Sequence, residues 1–170
     1  MGVAVRPRTP DDLPALLALL QRTHESDGYP VRASRVSAAW LAPDDELAAW
    51  VALDGDRPVG HGALHPAGGA SLPLWREGTG READGLAVVS RLYTDRSAPG
   101  AGTALLEAAV AEARARGRAP VLEVLSSSPA RGFYARRGWR RVGEVPQRWG
   151  DVPVVVDVLV APDRGATLQA

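Results

Sequence analysis

The sequence predicts one mixed α/β domain, a central sheet with helices packed on both faces. Three observations carry that expectation. The chain has 170 residues, the size of a single domain of about 100–200 residues. Hydrophobic residues make up 45% of it, enough for a core that needs no metal or disulfide. Runs of strand character alternate with runs whose apolar residues recur at helical spacing. Their order is β-α-α-β-β-β-α-β-α-β-β, which layers as an α/β or α+β sandwich.

Each element has a local reason. Val3 and Val5 alternate with small or polar neighbours and read as a short first strand. Thr9-Pro10-Asp11-Asp12 reads as a helix start. Thr9 offers an oxygen to a free N–H, Pro10 suits the first position, and the aspartates face the positive dipole end. Leu13, Leu16, Leu17 and Leu20 then line one helix face. His24 reads as a solvated loop residue, and Ser26-Asp27-Gly28-Tyr29-Pro30 as turn chemistry. A second short helix is expected over residues 32–41, ended by Pro43. Residues 46–53 and 57–64 read as strands joined by the hairpin signal Asp54-Gly55-Asp56.

Residues 66–84 have no period and many Gly and Pro, and read as a long loop. Residues 86–94 form a mostly apolar strand. Residues 100–116 make the strongest helix, with Leu105, Leu106, Ala109, Val110 and Ala113 as its stripe and Gly117 as its stop. Residues 121–125 are a short buried strand. Ser127, Ser128 and Pro129 open a helix that runs to about Arg137 and stops at Gly138. Residues 139–145 and 152–160 are the last strands, and 162–170 a frayed tail. The whole, 1–170, is expected to be a single domain.

Composition removes several function classes. Twenty acidic residues balance twenty basic ones, for a net charge of zero. A nucleic-acid binder is expected to show a basic excess, so nucleic acid is not an expected partner. There is no cysteine, which excludes thiol nucleophiles, Cys-ligated zinc and iron–sulfur clusters. Every basic residue is arginine, so neither a Walker A lysine nor a Schiff-base lysine exists. No apolar run reaches 18 residues and the first twelve residues lack an apolar leader core, so a cytoplasmic chain with no membrane partner is expected.

The informative segment is the strand 86–94, the turn Asp95-Arg96-Ser97-Ala98-Pro99, and the glycine-containing helix start Gly100-Ala101-Gly102-Thr103. The first N–H groups of a helix lack partners and carry partial positive charge, so such a start can hold a phosphate. No acid follows until Glu107. The same residues also suit a plain strand–helix connection. A dinucleotide fingerprint fits poorly, because its third glycine would be Leu105 and its acidic residue, Glu123, falls mid-strand.

SAPGAG followed by TALL resembles the coenzyme-A loop of the GNAT superfamily of N-acetyltransferases, with Gly100 and Gly102 at its glycine positions. Ser97 stands where that family usually has Gln or Arg, next to Arg96, and RLYTD resembles the strand entering the loop. SSPARGFYARRGWRRVGE is similar to the second cofactor motif, with Ala130, Phe133, Tyr134, Gly138 and Trp139 in place and Ser127 for its Asn.

The resemblance implies a GNAT-like fold whose parallel strands 86–94 and 121–125 splay apart, and an acetyl-CoA-dependent transfer to an amine. It implies that backbone groups of Leu92, Tyr93 and Thr94 pair with the pantetheine arm like an added strand. Ser97, Ala98, Gly100, Ala101, Gly102 and Thr103 would hold the pyrophosphate, with Ser127 in the second motif. Tyr134 would be the general acid for the leaving thiolate, since a phenol near pKa 10 can protonate a thiolate whose acid lies near about 8.5. Relatives often pair, which leaves a homodimer open.

The base is not assigned, because strand 86–94 carries Ser90 and Arg91 but no carboxylate. The candidates are His61, His65, Glu82, Asp84 or a water chain. Four residues of strand separate the histidines by roughly 13 Å, too far to share a metal, and no metal is expected. Either histidine reads equally as a structural residue. The absent carboxylate is also what an acyl-CoA-binding module without catalysis would show.

Arg136, Arg137, Arg140 and Arg141 read as a solvated basic face, or as a contact for the 3′-phosphate of coenzyme A. Trp75 and Trp149 are expected in loops, either walling a substrate pocket or serving as partly buried loop anchors. The acids Glu25, Asp27, Asp44, Asp45 and Glu46 read mainly as surface, with attraction of a cationic amine as the alternative. Residues 66–84, preceding the central strand, are expected to shape the acceptor side.

Overall fold

A computed structural model describes residues 2–30 and 36–163 of the chain. Seven strands are hydrogen-bonded in the order β1-β2-β3-β4-β5-β7-β6. They are β1 (Ala4–Pro7), β2 (Ala48–Asp54), β3 (Arg57–Pro66), β4 (Leu86–Thr94), β5 (Ala119–Leu125), β6 (Arg140–Trp149) and β7 (Val152–Val160). The helices are α1 (Leu13–Asp27), α2 (Ala38–Leu41), α3 (Leu72–Thr79), α4 (Ala101–Ala115) and α5 (Ala130–Ala135). The expected mixed α/β class is the observed one: β4 and β5 run parallel, the pairs β1–β2, β2–β3, β5–β7 and β6–β7 antiparallel.

The chain divides into two compact units, Met1–His65 with Val89–Glu112, and Pro66–Val88 with Ala113–Ala170. In the first, the leucine stripe of α1 closes the core. Leu16, Leu19 and Leu20 pack with Leu41, Val51 and Tyr93, and Leu13 and Leu17 lie partly buried against them. One turn of 3-10 helix (Pro10–Asp12) precedes α1. There the Thr9 N–H donates to the Asp12 carboxylate at 2.7 Å and the Asp12 N–H to the Thr9 carbonyl at 3.0 Å. Asp12 also takes two bonds from the Arg6 guanidinium at 2.8 Å, and its carboxyl is held at about 2 by that contact against the opposing effect of burial.

In the second unit, Trp75, Leu86, Val121, Val156, Val158 and Val160 form the core. The β4–β5 ladder pairs Leu86, Ala87 and Val88 with Ala119, Pro120 and Val121. The β6–β7 hairpin pairs Arg140 through Trp149 with Val160 through Val152 and turns at Gly150, whose φ of 66° favours glycine.

Several expectations need correction. Residues 66–84 are not a loop: they hold α3 and a 3-10 turn (Ala83–Gly85). Pro73 sits in the first turn of α3, Gly80 closes it at φ 68°, and Trp75 is its buried anchor. Gly78 inside the helix hid the pattern, yet a Cβ there would lie 2.7 Å from Val142 Cγ1, so the close approach explains the glycine. β6 passes Pro146, where the sequence reading stopped; as last strand in the order it is an edge, where a missing N–H is tolerated. Of the expected helix 32–41, residues 32–35 lie outside the described residues, and the rest is helical only over Ala38–Leu41. Its start is set by the Ser37 hydroxyl, which accepts from the Trp40 N–H at 3.2 Å. His24 belongs to the last turn of α1, where its Nδ1 donates to the Pro30 carbonyl at 2.6 Å. Within the tail, residues 164–170 lie outside the described residues.

Candidate active site

The first unit gathers a buried polar cluster around β3 and β4. His61 on β3 is fully buried and His65 nearly so, at 0% and 8% exposure. His61 Nδ1 donates to the Arg91 carbonyl at 2.8 Å, which leaves Nε2 to accept from the Arg8 guanidinium at 2.9 Å. Its ring stacks on Tyr93 at 5.5 Å between centroids. Arg8 is in turn held by Glu46, with bonds of 2.6 and 3.0 Å. Glu46 is therefore an internal partner rather than a surface acid. Burial, reinforced by the charges of Arg8 and Arg91, pushes His61 down to about 3 and His65 to about 4, so both imidazoles are neutral.

Arg91 is the residue the sequence reading passed over. It sits mid-strand on β4 with φ 51°, a left-handed conformation that costs a non-glycine residue energy. Its Nε donates to the Trp40 carbonyl at 2.6 Å, and its guanidinium lies 4.6 Å from the Trp40 ring centre. The same head reaches His65 Nε2 at 3.1 Å and the Ser90 hydroxyl at 3.1 Å. The kink thus aims the Arg91 carbonyl at one histidine and its side chain at the other. A non-glycine residue in this conformation leaves no mark in composition or periodicity, which is why it was missed.

At the end of β4, Leu92 and Thr94 are half-buried, while Tyr93 is buried and donates from its hydroxyl to the Leu16 carbonyl at 3.0 Å. Gly60 and Gly62 of β3 let this stretch come close: a Cβ at Gly60 would be 3.2 Å from the Tyr93 carbonyl oxygen, and one at Gly62 3.2 Å from Leu92 Cδ1. The turn after β4 is built by Asp95, whose carboxylate takes the Ser97 N–H at 2.9 Å and the Ser97 hydroxyl at 2.8 Å. The Ala98 N–H donates to the Asp95 carbonyl and the Ala101 N–H to the Ala98 carbonyl. Among the described residues, nothing accepts from the Gly100 or Gly102 N–H. Thr103 follows in the first turn of α4, which carries no acid. Of the donors expected to face a pyrophosphate, two glycine N–H groups are open, while those of Ser97, Ala98 and Ala101 already serve the turn.

The second unit carries Tyr134 on α5, 8% exposed. Phe133 and Trp139 meet its ring edge-on at 5.2 and 5.9 Å, and burial pushes its phenol up to about 12. Among the described residues none hydrogen-bonds the Tyr134 hydroxyl. Ser127 is exposed; its neighbours Ser126 and Ser128 make the bonds, to Asp157 Oδ1 at 2.7 Å and from the Ala130 N–H at 3.1 Å. Asp157, 2% exposed, also meets Arg131 of α5 at 2.7 Å and Arg141 of β6 at 3.2 Å. Glu82 is exposed and paired with Arg76 at 2.8 Å, and Asp84 is exposed in the 3-10 turn.

Of the four arginines from 136 to 141, Arg136, Arg140 and Arg141 are exposed and Arg137 is half-buried, and three of them also make specific contacts. Arg137 lies over the Phe133 ring at 3.7 Å, Arg141 holds Asp157, and Arg140 donates to the Gly78 carbonyl at 3.0 Å. Neither tryptophan is in a loop: Trp75 is core, and Trp149 ends β6 with its Nε1 donating to Gln147 at 3.0 Å. Among the described residues no group of three or more His, Cys, Asp or Glu could hold a metal, and no helix is long and apolar enough to cross a membrane.

Comparison with known proteins places this geometry. A family model described as the acetyltransferase (GNAT) family matches residues 13–139, running through both units. Among solved structures, that of Arabidopsis thaliana NAA60 in complex with acetyl-CoA is similar with a TM-score of 0.69 at 17% identity, over 93% of this chain and 98% of that one. A probable acetyltransferase from Staphylococcus epidermidis gives 0.68 at 13% identity, covering 93% and 97%. A ribosomal-protein-alanine N-acetyltransferase from Brucella melitensis gives 0.63 at 20%, covering 92% and 98%. At such identities the likeness is one of fold. No curated protein sequence matches the chain.

Proposed function

The chain belongs to the GNAT acetyltransferase family, and on that premise we propose that it moves the acetyl group of acetyl-CoA to the nitrogen of a small-molecule or peptide amine by direct attack. The observation that carries this is the start of α4. Two glycine N–H groups stand open there, at the positive end of a 15-residue helix with no acid in its first turn, a fit for a pyrophosphate. The uninterrupted family match supports treating residues 1–170 as one acetyltransferase domain.

Acetyl-CoA would supply the activated thioester. From the first unit, the N–H groups of Gly100 and Gly102 bind its pyrophosphate, and the backbone of Leu92, Tyr93 and Thr94 pairs with its pantetheine arm. As the amine nitrogen bonds to the acetyl carbon, the carbon–sulfur bond breaks and the thiolate takes the proton of the Tyr134 hydroxyl. The amine gives up its own proton to a base. Of the candidate side chains His65 is the best suited, Asp84 being exposed in the 3-10 turn. His61 has both ring nitrogens engaged and Glu82 is tied to Arg76, whereas both His65 ring nitrogens face the single Arg91 nitrogen at 3.1 and 3.4 Å. His65 then exchanges an arginine N–H for the proton, and the low-pH limb of the rate falls near about 4.

Tyr134→Phe is the test. The ring stays, so packing between Phe133 and Trp139 is kept, and only the hydroxyl goes. Single-turnover mixing with acetyl-CoA and a reactive amine should show the chemical step slowed by roughly 10²–10⁴-fold, the range for a lost general acid, with coenzyme affinity little changed. Because the phenol titrates only near about 12, the wild-type rate should have no falling limb through pH values of about 8–10. A normal chemical step in the variant removes Tyr134 from this role. Binding of acetyl-CoA without turnover on any amine in a broad panel would favour a coenzyme-binding module instead.

A further inference from the structure

The net charge of zero conceals a segregation. The first unit contains eight arginines and twelve acidic residues, and the second twelve arginines and eight acidic residues, so the second carries +4. Part of that excess lines a cleft of about 550 Å³ in the second unit, where Arg81, Arg114, Arg118 and Arg140 converge. Each donates one hydrogen bond to a backbone carbonyl: Arg81 to Gly117 at 2.9 Å, Arg114 to Pro162 at 2.5 Å, Arg118 to Leu86 at 3.2 Å and Arg140 to Gly78 at 3.0 Å. Among the described residues none of the four meets a carboxylate, and Asp163 is the one acid in the lining.

Elsewhere in the chain Arg8 meets Glu46, and Arg131 and Arg141 meet Asp157. A carbonyl bond fixes a guanidinium in place but leaves its charge and most of its five N–H donors unused. The carboxyl end of α4 beside Arg114 supplies about half a negative charge and Asp163 one more, less than four cations require. Gathering like charges in a concave site is unfavourable until an anion enters, and the concavity concentrates their field. The volume lies within the range of about 300–1,000 Å³ usual for small-molecule sites.

We propose that this cleft binds a small polyanion, a molecule bearing two or more phosphate or carboxylate groups, at a site separate from the acetyl-transfer machinery. Arginine forks match the paired oxygens of both groups. The cleft is lined by Ala119 and Pro120 at the start of β5, whereas the segment leading to Tyr134 follows the end of that strand, roughly 20 Å on at about 3.3 Å per residue.

The test is titration calorimetry of the full chain with inorganic tripolyphosphate and, separately, with citrate, at fixed ionic strength. Saturable binding of at least one is expected, and the tighter of the two names the source of the anion, phosphate or carboxylate. The double variant Arg81→Gln/Arg140→Gln, both residues exposed, should weaken it by at least about tenfold. Gly102→Glu, placed in the coenzyme loop, should leave it unchanged, which separates this site from the pyrophosphate site. Near-UV circular dichroism confirms folding; if the double variant fails that check, Arg81→Gln alone should weaken binding about threefold or more. Absence of saturable binding overturns the proposal, as does binding that survives the arginine variants or is lost with Gly102→Glu.

Discussion

Gly102 shows how much one residue can decide. Its N–H is open at the head of α4, and the absence of a side chain keeps bulk and charge away from whatever approaches. Gly102→Glu adds a carboxylate in the first helical turn, where the dipole favours a negative group, so the helix should persist. The same carboxylate repels a pyrophosphate. Calorimetric titration should find acetyl-CoA affinity reduced by at least about a hundredfold in a folded protein, two or more lost donors' worth of binding. Unchanged affinity would take this loop out of the coenzyme site. The glycine was legible because glycine at a helix start is a local signal. Arg91 was not, since its φ of 51° is imposed by bonds to Trp40, His61 and His65, residues 51, 30 and 26 positions away.

Among the elements, α3 departs furthest from its sequence reading. A segment rich in Gly and Pro proved to be a helix whose Trp75 is 2% exposed in the core of the second unit. Trp75→Ala should cost about 3–5 kcal/mol, measured by urea unfolding, from lost burial and the cavity left behind. The Trp75 Nε1 is buried with no partner among the described residues, and an unpaired buried donor is itself unfavourable by about 1–3 kcal/mol. Trp75→Phe should therefore lose much less than alanine, within about 1 kcal/mol of the wild type. Equal losses in the two variants would show that Nε1, not the ring, is what the site needs. Because the segment carries core, shortening residues 69–80 would remove packing rather than trim a loop.

For the molecule as a whole, the two buried histidines link stability to pH. Both have folded-state pKa values below the ordinary 6.5, at about 3 and about 4. The unfolded chain therefore binds protons that the folded chain refuses. Stability from this source is complete above about pH 6.5 and is lost as the pH falls toward the folded values. With both imidazoles neutral when folded, the free energy of unfolding should drop by up to about 2.7 kcal/mol per pH unit between roughly pH 6 and 4.5. His65→Gln should halve that slope. Urea midpoints measured across this interval check it: half the slope would mean that one imidazole protonates in the folded state as it does unfolded, and a flat profile that both do.

The two motifs around Gly100 and Tyr134 were legible through their resemblance to a family, whereas the sequence carried within itself the fold class, the bounds of β4 and β7 and the leucine face of α1. These follow from period, caps and short spacings, which act within a few residues and so are written locally. The family match over residues 13–139 agrees with that reading. Tertiary structure alone decided what long-range packing controls. It made a helix of residues 72–79 by burying Trp75, carried β6 past Pro146 by making it an edge, and turned Glu46 and His61 into a linked internal pair through Arg8. It also drew Arg81, Arg114, Arg118 and Arg140 to one cleft from positions up to 59 residues apart. A side chain's partner, and with it its charge state, is fixed by which distant segment folds against it, and no local pattern records that.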